Sequence, residues 1–160
     1  MMSWVRESKT RENWNLTKPT DKFILDKFSN RIRDFHQADF LIRVERTKGS
    51  YKVVSYKNGK SVGRIYIQQI KETPRGYKAE LRRLNVNNEY RSKGLGRILL
   101  ETAIDTFKDI DLYGYASPNR FNDLTEDNRE EYREGLKKFY ESVGLKSVGN
   151  GHKVEKIHCH

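Results

Sequence analysis

Cysteine is almost missing from this chain: Cys159 is the one thiol among 160 residues. An internal disulfide framework is therefore excluded, and packing alone must hold the fold. Proline is scarce as well, with three residues, and no Pro/Ser-rich linker, internal repeat or low-complexity tract divides the sequence. Long apolar runs are lacking too. None approaches the roughly 20 residues of a membrane-spanning helix, and the opening MMSWVRESKT has no apolar centre of the signal-peptide kind. These absences lead to the expectation of one soluble, cytoplasmic domain over residues 1–160, without membrane association, its first 17 residues a polar, irregular arm.

Charge and aromatics are plentiful. Charged residues make up 34% of the chain, and nine Tyr, seven Phe and two Trp argue against disorder. The net charge of +10 is unevenly spread: residues 1–75 hold 17 Lys and Arg against 8 acidic residues, residues 76–160 hold 15 against 14. A basic N-terminal half suits an acidic or nucleic-acid-linked partner, and it equally serves solubility. Zinc-finger spacing, a basic zipper and an aromatic RNA-binding signature are all absent.

A helix is expected from Pro19-Thr20-Asp21, with Ile24, Phe28, Ile32 and Phe35 on one face. Four extended runs follow, FLIRVER, YKVVSY, SVGRIYIQQI and GYKAELRRLNV, with turns at Asn58-Gly59 and Pro74-Arg75-Gly76. They predict an antiparallel meander. A helix starting near Lys93 then presents Leu95, Ile98, Leu99, Ala103 and Phe107. IDLYGYA reads as a strand, and a last helix directs Tyr132, Leu136, Phe139 and Val143 inward before Gly144. Two short strands around Asn150-Gly151 close the chain. The order predicts a mixed α/β sheet with helices packed on it.

Two stretches carry chemical information. In the fourth strand, Ala79 and Leu81 are apolar at odd positions but Leu84 and Val86 at even ones. Strands alternate with period two, so either an extra residue near Arg82-Arg83 forms a β-bulge or one end of the strand is buried on both sides. Directly after it, Arg91-Ser92-Lys93-Gly94-Leu95-Gly96 has the form R-x-x-G-x-G at a helix start. Outward-pointing N–H groups and glycines without Cβ atoms favour a bound phosphate, with Arg91, Lys93 and Arg97 adding charge. An ordinary strand-to-helix turn is the competing reading. The G-x-x-x-x-G-K-[ST] spacing is absent, and the Rossmann glycine order does not fit a turn that follows a meander.

With R-x-x-G-x-G after the NV strand end, this element order, and GLKKFYESVGL at 135–145, the chain resembles the GNAT superfamily of N-acetyltransferases. The resemblance implies an α+β fold: a mixed, mostly antiparallel sheet with a V-shaped opening between the fourth and fifth of the strands listed above. It implies acetyl-coenzyme A as co-substrate and no metal. Its pyrophosphate would lie on Arg91, Ser92, Lys93, Gly94, Leu95, Gly96 and Arg97, and its pantetheine arm in the opening, against the backbone of Leu84 and Val86. It also implies direct acetyl transfer to a primary amine: a lysine or protein N-terminus, a polyamine or another small amine. Tyr140 matches the family's tyrosine acid and is otherwise a packing residue beside Leu136. Glu80 matches a glutamate base of some members, and is otherwise a strand glutamate paired with Arg82 or Lys78.

The family's asparagine after the fifth strand corresponds to Asn119, but the connection SPNRFNDLTEDNREEYREG is long and acidic. It reads as a lid favouring cationic acceptors or as a solvated helix start. The basic half and the acidic connection point to opposite acceptors, so the acceptor stays open, as does a choice between monomer and homodimer. A scaffold that binds coenzyme A, an acidic partner or nucleic acid without turnover is the alternative function. His158-Cys159-His160 lacks a second ligand cluster, and His36 and His152 have no partner at recognisable spacing.

Overall fold

Period-two alternation governs residues 40–86, and a computed structural model shows them as four antiparallel strands. It describes residues 19–91, 93–115, 126–148 and 153–157, with side chains in the last helix from Glu130 onward except Tyr132. The expected arm over 1–17, the turn at Asn150-Gly151 and the side chain of Tyr132 lie outside the described residues. The meander comprises β2 (Phe40–Thr47), β3 (Ser50–Lys57), β4 (Lys60–Thr73) and β5 (Gly76–Val86). Asn58 and Gly59, with φ of 53° and 79°, make the tight turn between β3 and β4.

The first helix is shorter than its spacing predicts. α1 covers only Lys22–Asp26; the Ser29 hydroxyl donates to the Asp26 carbonyl at 3.0 Å, and Ser29–Arg31 tighten into a 3-10 turn. Residues Arg33–Gln37 then form an edge strand, β1, paired antiparallel with β2. Ala38 and Asp39, both at positive φ, fold it back so that Gln37 faces Phe40. Phe35 thus reaches the core from a strand, and Ile32 is left 48% exposed.

α2 (Leu95–Thr106) lies across β3, β4 and β5, burying Leu95, Leu99, Leu100, Ala103 and Ile104. Phe28, just past α1, meets Tyr77 edge-on at 5.4 Å and Phe107 at 5.8 Å. The Tyr51 hydroxyl, fully buried, donates to the Leu25 carbonyl. β6 (Asp111–Tyr115) returns parallel to β5. α3 (Glu126–Ser142) follows, packed against the closing pair β7 (Lys146–Val148) and β8 (Lys153–Lys156). Gly144 at φ 106° ends it, with Leu145 N–H on the Tyr140 carbonyl and Gly144 N–H on that of Glu141, a Schellman stop that buries Leu145.

The sheet has eight strands in the order β1-β2-β3-β4-β5-β6-β8-β7. The parity switch in β5 is a bulge: Arg64 faces Asn85 and Tyr66 faces Arg82, so Ile65 opposes both Arg83 and Leu84. Arg83 sits at φ 57°. The extra residue returns Val86 to the core side that Ala79 and Leu81 occupy.

Candidate active site

The strands part between β5 and β6. Their parallel pairing holds for three residue pairs, Lys78 with Asp111, Ala79 with Leu112 and Glu80 with Tyr113, whereas β5 runs on to Val86. A Cβ on Gly114 would stand 3.2 Å from the Leu81 carbonyl, so glycine lets the strands touch where the pairing ends. Beyond Leu81, β5 is paired on its β4 side alone. The result is a wedge, between the fifth and sixth strands once β1 is counted, with Leu84 and Val86 on its β5 wall.

After β5, a 3-10 turn at Asn88–Tyr90 leads to the start of α2. Its N-cap, Gly94, has φ 79° and no side chain to cap the helix, and a Cβ there would meet nothing within 4 Å. The N–H of Ile98 returns to the Gly94 carbonyl; those of Leu95, Gly96 and Arg97 precede the first helical bond. A Cβ on Gly96 would lie 3.8 Å from Phe139 and from Val86, so this glycine sits between strand, helix and α3. An uncapped, glycine-lined helix start beside an open strand wedge fits an elongated group ending in phosphates.

The basic residues of this turn have distinct tasks. Arg91 Nε donates to the Val86 carbonyl at 2.9 Å, bracing the end of β5. Arg97 donates to Ser142 Oγ at 3.1 Å and pairs with Glu101 at 3.2 Å, tying α2 to the end of α3. Lys93 is exposed, its ammonium 5.9 Å from the Tyr90 ring centroid. Ser92 and Asn119 lie outside the described residues.

At the closed end of the wedge, a polar row crosses the sheet. Gln68 on β4 faces Glu80 on β5, and Glu80 faces Tyr113 on β6. Gln68 and Glu80 are each 7% exposed. Arg82 Nη1 lies 3.4 Å from the Glu80 carboxylate. Burial pushes the Glu80 pKa above the usual carboxylate range, and Arg82, Lys153 and Lys71 oppose that shift. Burial, helped by the Glu80 charge, raises the Tyr113 phenol to about 12. The Gln68 Oε1 is buried without a hydrogen-bond donor among the described residues. A carboxylate that holds its proton longer than usual, beside an unfilled acceptor, is suited to receiving a cationic amine.

Tyr140 lies on α3 at 6% exposure, its ring 6.0 Å from that of Phe139. Burial raises its phenol to about 12. It is more deeply buried than Leu136, Phe139 or Val143, the residues whose spacing marks the inward face. Gln68 was not visible in the sequence as a site residue, because β4 alternation marks it only as the polar neighbour of Ile67. A cavity of about 310 Å³ between β1 and α2, lined by Arg33, Phe35, Ile98 and Glu101 among others, contains none of the candidate residues. Among the described residues no group of three His, Cys, Asp or Glu side chains could hold a metal, and no helix is long and apolar enough to cross a membrane.

Comparison with solved structures returns distant relatives. Naa50 of Arabidopsis thaliana, in complex with the bisubstrate analogue CoA-Ac-MVNAL, is 19% identical with a TM-score of 0.49, over 66% of this chain and 71% of that one. The PaiA N-acetyltransferase of Thermoplasma acidophilum, with coenzyme A, is 23% identical (TM-score 0.45; 66% and 59%). Spermidine N-acetyltransferase of Vibrio cholerae is 17% identical (TM-score 0.47; 68% and 65%). The chain thus spans less than two thirds of the latter two. No curated protein matches it. The family model for the acetyltransferase (GNAT) family matches residues 9–142, most of the chain. On the strength of that match, the chain is a member of the GNAT family of acetyltransferases.

Proposed function

We propose that this chain moves an acetyl group from acetyl-coenzyme A directly to a primary amine, without a covalent enzyme intermediate. The observation that carries the reading is the wedge: three pairs of parallel contact, then divergence, with an uncapped glycine helix start beside it. The N–H groups of Leu95 and Gly96 and the ammonium of Lys93 would hold the pyrophosphate, and the β5 wall at Leu84 and Val86 the pantetheine arm. Bound there, the co-substrate supplies a thioester whose acyl carbon takes the amine lone pair as its sulfur leaves.

The remaining chemistry belongs to the chain. Glu80, buried at the closed end, holds the incoming ammonium and takes its proton as the nitrogen becomes nucleophilic. Its raised pKa makes it a better acceptor of that proton than an exposed glutamate. Tyr140, with a phenol pKa of about 12, stays protonated at neutral pH and can donate to a departing sulfur in contact with it. Arg91 and Arg97 also position: one fixes the end of β5, the other locks α2 to α3. Family membership favours turnover over a scaffold role.

The test is a thermal-shift series with acetyl-coenzyme A, coenzyme A and ATP, followed by thiol release with a panel of primary amines. A ligand bound only by the folded chain raises the midpoint. Stabilisation by both coenzymes, and amine-dependent thiol release, are expected. No shift with either coenzyme at millimolar concentration would sink the reading.

A further inference from the structure

Lys71 on β4 and Lys78 on β5 stand directly opposite each other. Like charges in that position destabilise a strand pair, and among the described residues neither lysine forms a salt bridge. Three nearby carboxylates already have cations: Arg75 lies 3.9 Å from Asp111, Lys153 lies 3.9 Å from Glu155, and Arg82 lies 3.4 Å from Glu80. The described acids of α3 that form ion pairs do so within that helix, Glu130 with Arg133 and Glu134 with Lys137. Among the described residues neither lysine thus has a carboxylate at ion-pair distance; the Lys78 ammonium lies 5.6 Å from the Tyr113 ring centroid, and both lysines stand next along the strands from the pair Gln68 and Glu80.

Backbone strain puts one of them there. The β4–β5 pairing has a second bulge, this one on β4 between Gln68 and Lys71, with Gln69 at φ 58°. Regular alternation would place Ile70 beside Gln68. The extra residue instead returns Ile70 to the core, at 2% exposure, and sets Lys71 on the face of Gln68 and Glu80. A non-glycine residue in the left-handed region is a strained choice, and such strain gathers at functional sites.

We propose that the acceptor is a primary amine carried on an anionic body: Gln68 Oε1 and the Glu80 carboxylate receive the amine, while Lys71 and Lys78 hold a carboxylate or phosphate beside it. Lys78 and Glu80 are two residues apart on β5, about 7 Å along the strand, so amine and anion belong to adjacent parts of one molecule. The same positive charge lowers the proton affinity of the incoming ammonium and repels a second one. Polycations of the polyamine type are then poor acceptors. This inference rests on the acetyl-transfer reading above.

Matched amines test it: O-phosphoethanolamine against ethanolamine, and a tetrapeptide beginning Ala-Glu against one beginning Ala-Lys, with spermidine as the polycation. Binding to the full chain is measured by calorimetry with and without saturating coenzyme A, whose own binding heat reports separately on the acetyl-transfer reading. At least one anionic amine is expected to bind tenfold or more tightly than its partner and than spermidine; which one does so identifies phosphate or carboxylate as the anion. In Lys71→Gln and Lys78→Gln the preference should fall below threefold while the thermal midpoint holds or rises, because a like-charge pair has been relieved. Spermidine binding as tightly as the anionic amines, no binding of either anionic amine at millimolar concentration, or a preference unchanged in both variants overturns the proposal, even where coenzyme A binds.

Discussion

Replacing Tyr140 by phenylalanine separates catalysis from folding, because the change removes one oxygen and keeps the ring in its packing. No hydrogen bond of that hydroxyl to another described residue is lost, so stability near neutral pH should change by no more than about 1 kcal/mol. Alkaline pH should reveal a difference. The phenol pKa is raised from its ordinary 10 to about 12 by burial, so the folded state resists ionisation that the unfolded chain accepts. Stability from this group is complete below pH 10 and is lost as pH climbs towards 12; linkage puts the loss at about 1.4 kcal/mol by pH 11 and about 2.3 kcal/mol by pH 12. Tyr140→Phe lacks that loss, so urea unfolding from pH 9 to 11 should show the variant gaining on the parent by about 1.4 kcal/mol. If the phenol is also the proton donor, thiol release with an amine acceptor should fall by roughly 10² to 10⁴, while stabilisation by coenzyme A is retained. Parallel pH curves for the two proteins would refute the burial argument. Turnover within about twofold of the parent would remove Tyr140 from the chemistry.

Three other substitutions probe the remaining parts. Glu80→Gln should raise neutral-pH stability: a carboxyl with a raised folded-state pKa costs the fold more as pH rises from the ordinary glutamate range through its own pKa, and the variant should flatten urea midpoints across that window. It should also depress amine turnover; an unchanged pH–rate profile would deny Glu80 its role. Gly96→Ala meets only 3.8 Å contacts and should stabilise α2 by about 0.5–1 kcal/mol, yet weaken coenzyme A binding tenfold or more if a pyrophosphate rests on that backbone; calorimetry decides. Gly114→Val places carbon 3.2 Å from the Leu81 carbonyl and should destabilise by about 1–3 kcal/mol, seen as a lower urea midpoint; wild-type stability would mean that β6 is not held there.

Local signals in the sequence were legible where backbone geometry writes them directly. The switch from Ala79 and Leu81 to Leu84 and Val86 marks the β5 bulge, and Asn58-Gly59 marks its hairpin. The bulge at Gln69 leaves no such trace, since Ile67 and Ile70 alone also read as ordinary burial on both faces. β1 was hidden because Ile24, Phe28, Ile32 and Phe35 recur at helical spacing, whereas Ala38-Asp39, neither of them glycine, supplies the turn that makes a strand. The glycine turn and Tyr140 are singled out as candidates by motif. The row of Gln68, Glu80 and Tyr113 is a matter of register across three strands, which no single stretch records. Arg91 and Arg97 read as anion ligands by charge, and their hydrogen bonds to Val86 and Ser142, which no local run of residues records, show that they also brace the frame.

The order of the strands also sets a timetable. β1 to β5 pair with sequence neighbours through short turns, so a five-stranded sheet is complete once residue 86 has been made. The far wall of the wedge is different: β6 touches β5 through three residue pairs, and its other edge is filled by β8, which comes about 40 residues later in the chain and lies between β6 and β7. Contacts so distant along the chain form late and fray early. A nascent or gently heated chain therefore keeps most of its sheet while lacking a place for chemistry, and amine turnover should disappear on warming before the β-sheet circular dichroism does.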